Sequence, residues 1–308
     1  MPIATTPPIQ GLWLPLVTPF LDGEIDFASV QKLVRHFSHK KIDGFVVAGT
    51  TGESMNLSEE ETKALVEKVQ EANEGNLPVF LGRTGASTRK MEESLAETNK
   101  WDIDGYLIAA PHFVKPSQDG MREHFVRLAG ETTRPILVYN IPGRTGINVE
   151  NETLFDLANA CPNIVGVKDC TNNFEQTSDL LLRRPPHFSV LVGDDENFLR
   201  STSLGADGGI LASAHITPHG FSEVRHNVTR GVQVNASWHW KRFSDLVSLL
   251  FKEPNPGPVK YCLYQQGLIA SPEMRAPLSP ITKRLRVRLD ERLAFFYRQN
   301  ALPALAMA

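Results

Sequence analysis

Eight short, β-branched apolar runs punctuate roughly the first two thirds of the chain, and no other feature restricts its fold as much. They are Leu12–Val17, Gly44–Ala48, Pro78–Gly82, Gly105–Ala109, Pro135–Asn140, Ile164–Lys168, Phe188–Gly193 and Gly208–Ala212. Several are almost uninterrupted rather than alternating, as expected of strands covered on both faces in a parallel sheet. Stretches with one charged face separate them, among them Ser58–Ala72, Ser87–Lys100 and Asn151–Ala160. The first of these begins with Ser58 and has Glu61 three residues later, a capping-box pattern, and Leu65 and Val69 recur at helical spacing. Strand starts about every 20 to 35 residues through eight strand–helix units predict an α/β fold, the (β/α)₈ barrel. An open doubly wound sheet would carry a glycine-rich fingerprint after its first strand, where this chain has Thr18-Pro19-Phe20. After about residue 216 the strand pattern stops, and Gly220–Ala294 reads as helices broken by Pro254-Asn255-Pro256-Gly257-Pro258. The expected division is 1–216, the barrel with its N-terminal segment, and 217–308, a helical region that completes and flanks it.

Lys+Arg 32 against Asp+Glu 35 leaves a net charge of −3, so no basic excess exists to neutralise phosphates, and nucleic acid is not expected as a partner. No apolar run approaches the roughly 18 residues of a membrane span. Cys161, Cys170 and Cys262 are odd in number and far apart, which argues against a disulfide framework or a cysteine metal site. Met1–Gln10 lacks the charged start and apolar core of a secretory signal, and a cytoplasmic location is expected. The expected partner is a small molecule or another copy of the chain.

In such a barrel the chemistry sits where the strands end, so polar residues at those ends come first. A lysine ending the Ile164–Val167 run, Lys168, would place its stem in an apolar interior, on the same face as Gly166 and Ile164 by alternation. Burial lowers an amine's pKa and yields the neutral nucleophile needed to attack a ketone. The plainer reading is a lysine that snorkels out to pair with Asp169. Tyr139 ends the preceding strand, and its phenol can donate and accept in turn, as a dehydrating carbinolamine requires; a buried tyrosine with a satisfied hydroxyl is the alternative. In Gly49-Thr50-Thr51-Gly52-Glu53, the glycines let successive N–H groups point at one anion, and the hydroxyls extend a relay. Glu53 reads as satisfying backbone donors at the next helix. Arg144, on a loop just beyond Tyr139, can clamp a carboxylate bidentately or simply be solvated. Asp194-Asp195-Glu196 suits helix capping, and without a histidine cluster no metal is expected.

Taken together, GTTGE, YNIPGRTG and GVKD resemble the dihydrodipicolinate synthase and N-acetylneuraminate lyase superfamily of class I, Schiff-base aldolases. The similarity extends to Pro111–Gln118, Gly193-Asp194-Asp195, Gly208-Gly209-Ile210 and Asn255–Lys260, and YNxPxRTG with the late NPxPVK is most similar to the branch that condenses pyruvate with aspartate semialdehyde in lysine biosynthesis. The resemblance implies that Lys168 forms an imine with pyruvate, Tyr139 shuttles protons and Thr50 adjoins it in the relay. It implies that Thr51 and Gly49 help hold the ketoacid, that Arg144 meets the second substrate's carboxylate and that Ile210 lines the pocket through its backbone. No organic cofactor or metal is implied, and a homo-oligomer, dimer or tetramer, is.

Two departures qualify the pattern. Where the synthases carry two tyrosines, this chain has His112 and Phe113, and the second of those tyrosines completes the relay in a neighbouring subunit. Phe113 has no hydroxyl, which leaves open a related 2-keto acid aldolase, a dehydratase or deaminase, or a non-catalytic ketoacid-binding protein. At the positions matching the lysine-inhibition site stand His112, Ser87, Glu59 and Thr62, so feedback by lysine is not expected.

Overall fold

A computed structural model describes residues 8–301. The reading of Met1–Gln10 falls mostly on residues 1–7, outside the described residues, as does the end of the helical region, 302–308.

The eight apolar runs are the eight strands of a closed parallel (β/α)₈ barrel. In chain order they are β1 (Gly11–Pro15), β2 (Gly44–Val47), β3 (Val79–Arg83), β4 (Gly105–Ala109), β5 (Ile136–Asn140), β6 (Ile164–Asp169), β7 (Ser189–Val192) and β8 (Gly208–Ile210). Each strand neighbours the next, and the ring closes between β1 and β8, with Gly11 opposite Gly208 and Trp13 opposite Ile210. Glycine is needed at that seam, because a Cβ on Gly208 would overlap the Gly11 carbonyl. Eight helices form the outer ring: α1 (Phe27–Ser38), α2 (Glu59–Asn73), α3 (Thr88–Thr98), α4 (Gln118–Gly130), α5 (Asn151–Ala160), α6 (Phe174–Arg183), α7 (Phe198–Ser203) and α8 (Pro218–Thr229). Three more follow, α9 (Gln233–Leu250), α10 (Gly257–Gln265) and α11 (Lys283–Ala301). The capping box of α2 is present: Ser58 Oγ accepts from the Glu61 N–H at 3.1 Å, and Glu61 accepts from the Ser58 N–H at 2.8 Å.

Two apolar layers result from the two faces of each strand. The lumen is filled by Trp13, Val46, Phe80, Leu107, Leu137 and Ile210 with their neighbours, and the outer faces pack against the helices. Strict alternation fails at one point. Ile136 pairs with Ile164, but Leu137 pairs with Gly166, so Val165 is an extra residue on β6. Such a bulge shifts the phase of the pleat. Ile164 therefore faces the helices and Val165 the lumen, which corrects the placement of Ile164 on the face of Lys168.

Beyond the eight strands, Phe20–Leu21 and Glu24–Ile25 form an antiparallel hairpin whose turn residues Asp22 and Gly23 both have positive φ, 53° and 86°. Phe20 is fully buried.

Two buried histidines give the fold a pH dependence. At His215, the Val17 N–H donates to Nε2 (3.3 Å), and Nδ1 lies 2.9 Å from the Ala212 carbonyl, an arrangement that suits the neutral ring. His124 Nδ1 lies 2.9 Å from Thr88 Oγ1. Burial pushes both rings down to about 4. The unfolded chain takes up these protons near pH 6.5 and the folded one only near 4, so acidification through that window favours unfolding. Thermal melts are expected to show stability falling from about pH 6.5 towards 4, by on the order of 3 kcal/mol per ring. A melting temperature that stays flat over that range refutes this account.

Candidate active site

Lys168 and Tyr139 meet because β5 and β6 run parallel with these two residues opposite one another. Both are buried, and the Lys168 Nζ lies 4.2 Å from the centroid of the Tyr139 ring. Burial holds the Lys168 pKa below the usual amine range; the nearby Cys170 and Asp195 oppose that shift and Arg144 adds to it. The pairing with Asp169 is not made, since that carboxylate accepts from the Thr177 hydroxyl (2.6 Å) and the Thr171 N–H (3.1 Å). The stem of Lys168 packs against Gly193, where a Cβ would come 2.7 Å from its Cε.

The Tyr139 phenol is held well above its ordinary pKa by burial, with Cys170 adding to the shift and the Thr50 hydroxyl opposing it through a hydrogen bond. At neutral pH it therefore keeps its proton and can donate it. Thr50 belongs to a tight loop in which the Gly52 and Ser54 N–H groups both donate to the Gly49 carbonyl, at 3.1 and 3.3 Å. Thr51 is buried in the same loop, and its Oγ1 accepts from Asn255 Nδ2 at 3.0 Å. Ile210 is buried in the lumen at the end of β8.

Above Tyr139 opens a cavity of about 330 Å³ whose wall includes Gly49, Thr50, His112, Tyr139, Arg144 and Asn255. Arg144 is exposed on the one-turn helix Pro142–Thr145. Lys168, Thr51 and Ile210 are not part of this wall; Tyr139, which is, has the Lys168 amine against its ring. An amine whose charged form burial disfavours, beside a protonated phenol and with an arginine at the mouth, can add to a ketone and hold an anionic partner. Among the described residues no group of three His, Cys, Asp or Glu side chains is placed to hold a metal ion.

Two assignments change. Asp194 does cap, accepting from the Glu196 N–H at 3.1 Å, but Asp195 is buried at the lumen rim, where its Oδ1 accepts from the Ser213 N–H at 2.6 Å. Burial pushes its carboxyl up to about 6. Position alone carried the signal, because Asp195 lies just past the end of β7. Glu53 does not serve the next helix, which Ser58 caps. Its side chain is fully buried, pairs with Lys260 Nζ at 2.5 Å and accepts from the Arg275 N–H at 3.1 Å. His112 is half-buried on the cavity wall, its Nδ1 3.3 Å from Thr84 Oγ1. Next to it, Phe113 is 89% exposed with φ +70°, and its N–H donates to the Thr145 carbonyl. Of the positions considered for lysine feedback, Ser87, Glu59 and Thr62 line an adjoining cavity of about 260 Å³ that shares Gly82, Arg83 and Thr84 with the first. There Glu59 accepts two bonds from Arg83, at 3.0 and 2.8 Å.

Residues 8–294 match the model of the dihydrodipicolinate synthetase family. The 4-hydroxy-tetrahydrodipicolinate synthase 2 of Clostridium acetobutylicum is 44% identical over 283 residues, 92% of this chain and 99% of the relative. The crystal structure of dihydrodipicolinate synthase from Aquifex aeolicus superposes with a TM-score of 0.90 at 34% identity, covering 94% of this chain and 98% of that one. The chloride-inhibited dihydrodipicolinate synthase from Acinetobacter baumannii, solved in complex with pyruvate, gives a TM-score of 0.90 at 34% identity over 94% of this chain and 99% of that one.

Proposed function

This chain belongs to the dihydrodipicolinate synthetase family, and we propose that it is a cytoplasmic lyase that condenses pyruvate with aspartate semialdehyde through an imine on Lys168. The observation that carries the reading is the buried, low-pKa Lys168 amine set against the Tyr139 ring beneath a cavity rimmed by Arg144. The amine adds to the C2 carbonyl, and the carbinolamine expels water as Tyr139, bonded to Thr50, passes the proton. Electron withdrawal by the protonated imine acidifies the pyruvate methyl group, and loss of that proton gives an enamine. Its carbon attacks the aldehyde, forming the carbon–carbon bond and an alcohol. The amine of the semialdehyde then adds to C2, closes a ring and displaces Lys168. No cofactor enters these steps. Thr51, with the Gly49 turn and the Ile210 backbone, holds the ketoacid in this reading, and Arg144 meets the carboxylate of the second substrate.

Borohydride reduction in the presence of pyruvate tests the reading: a stable adduct on Lys168 is expected, and a label elsewhere overturns it. An aldehyde and hydroxy-ketoacid screen then names the second substrate.

Phe113 bears on assembly and rate. A phenylalanine 89% exposed at positive φ suits a loop that docks against a second copy, and the reading includes a homo-oligomer in which Phe113 closes the neighbouring site. It brings no hydroxyl to the relay, so pyruvate should be trapped readily while the semialdehyde is turned over slowly. Phe113→Tyr is expected to raise kcat with aspartate semialdehyde about 10²-fold. Unchanged or lower turnover would instead make Phe113 an apolar wall for a different aldehyde.

A further inference from the structure

The Glu53–Lys260 pair is the most deeply buried ion pair among the described residues, with both side chains fully covered. A buried pair is no argument for stability by itself, since desolvation cancels much of the attraction. What it holds is more informative. Glu53 closes the loop that carries Thr50 and Thr51, and it does so at φ +56°; Ala48 enters the same loop at φ +51°. Non-glycine residues persist in that region only where their surroundings fix them. Here the surroundings come from the far end of the chain. Lys260 Nζ donates to Glu53 and to the Glu273 carbonyl (2.7 Å), and the Arg275 N–H donates to the other Glu53 oxygen. Phe20 supports both cations, its ring centroid 4.3 Å from Lys260 Nζ and 4.6 Å from the Arg275 guanidinium carbon. Asn255, five residues before Lys260, donates to Thr51 Oγ1. A hydroxyl that accepts from an amide keeps its own proton for another acceptor.

We propose that Glu53 and Lys260 are positioning residues for the ketoacid carboxylate: the pair locks the Gly49–Glu53 loop onto the C-terminal segment so that Thr50 and Thr51 present their donors to the substrate. The proposal rests on the functional reading above. Glu53 borders the cavity, but its carboxylate is taken up by Lys260 Nζ and the Arg275 N–H, so the pair acts through the loop that Glu53 ends.

The test is the doubly neutral variant Glu53→Gln/Lys260→Met, which removes the pair without stranding a charge. Thermal melts establish that it folds, and borohydride trapping is then measured against pyruvate concentration. Half-saturating pyruvate is expected to rise by about 10- to 100-fold, as for a displaced binding group, whereas the KM for the aldehyde stays within about twofold. A role in stability alone would lower the melting temperature and leave half-saturation where it was, and that result overturns the proposal. If the double variant does not fold, Glu53→Gln decides: a rise of about threefold or more supports positioning, and no rise refutes it. Wild-type protein that traps no pyruvate overturns the functional reading itself. Trapping by wild type with unchanged half-saturation in the folded variant removes only the role of the pair.

Discussion

Lys168→Ala is expected to give no borohydride-stable pyruvate adduct and to lower kcat by on the order of 10⁴-fold or more, as for loss of a covalent nucleophile. The reason is positional. Lys168 is the buried amine facing the lumen beside Tyr139, and the other buried lysine, Lys260, is committed to Glu53. The variant should nonetheless fold. Burial disfavours the charged amine, as its lowered pKa reflects, so replacing it relieves a desolvation cost even as it opens a small space in the lumen. A melting temperature equal to or above that of wild type, together with absent trapping, is the expected pair of results. Trapping at wild-type levels in Lys168→Ala would place the imine elsewhere.

Tyr139→Phe removes only a hydroxyl from a ring that stays packed in the lumen, and kcat is expected to fall by about 10² to 10⁴, the usual worth of a general acid–base group. The adduct should still form on Lys168, but slowly, because the amine and the apolar contacts remain and only proton delivery to the departing water is lost. Rapid-quench trapping separates the two effects: a reduced rate with an undiminished endpoint supports the relay role. A variant within about threefold of wild type in both rate and turnover would return Tyr139 to a packing role.

The barrel was legible because a parallel strand covered on both faces must be apolar along its length, so each of the eight runs announced itself without its partners. Lys168 and Tyr139 stood out for a related reason, as polar residues ending such runs, and the structure sets them opposite one another; Thr50 and Arg144 lie beyond the strand ends and border the cavity with Tyr139. The remainder depended on geometry that local pattern does not carry. Alternation from Lys168 gave the wrong side for Ile164, because the extra residue at Val165 is defined only by what β5 places opposite it. Asp195 looked like one acid among three, and its burial against the Ser213 N–H is visible only in the fold. Lys260 was part of a quoted motif without a role, since its partner lies 207 residues away. The Phe20–Ile25 hairpin is different. Its Asp22-Gly23 turn is a hairpin signal that the sequence itself carries.

The joining of Glu53 to Lys260 also sets an order on how the protein is made. Synthesis runs from the N-terminus, so the loop bearing Thr50 and Thr51 emerges from the ribosome long before Asn255 and Lys260, the residues that clasp it. Closure of the sheet is late for the same reason, because Gly11 must wait for Gly208. Contacts so distant in sequence are slow to form, and their loop-closure entropy is repaid only when the chain is nearly complete. Up to that point a growing chain carries its nucleophile and its phenol but no finished clasp. With the clasp positioning Thr50 and Thr51 as proposed, competence to hold a ketoacid would be among the last properties the newborn chain acquires.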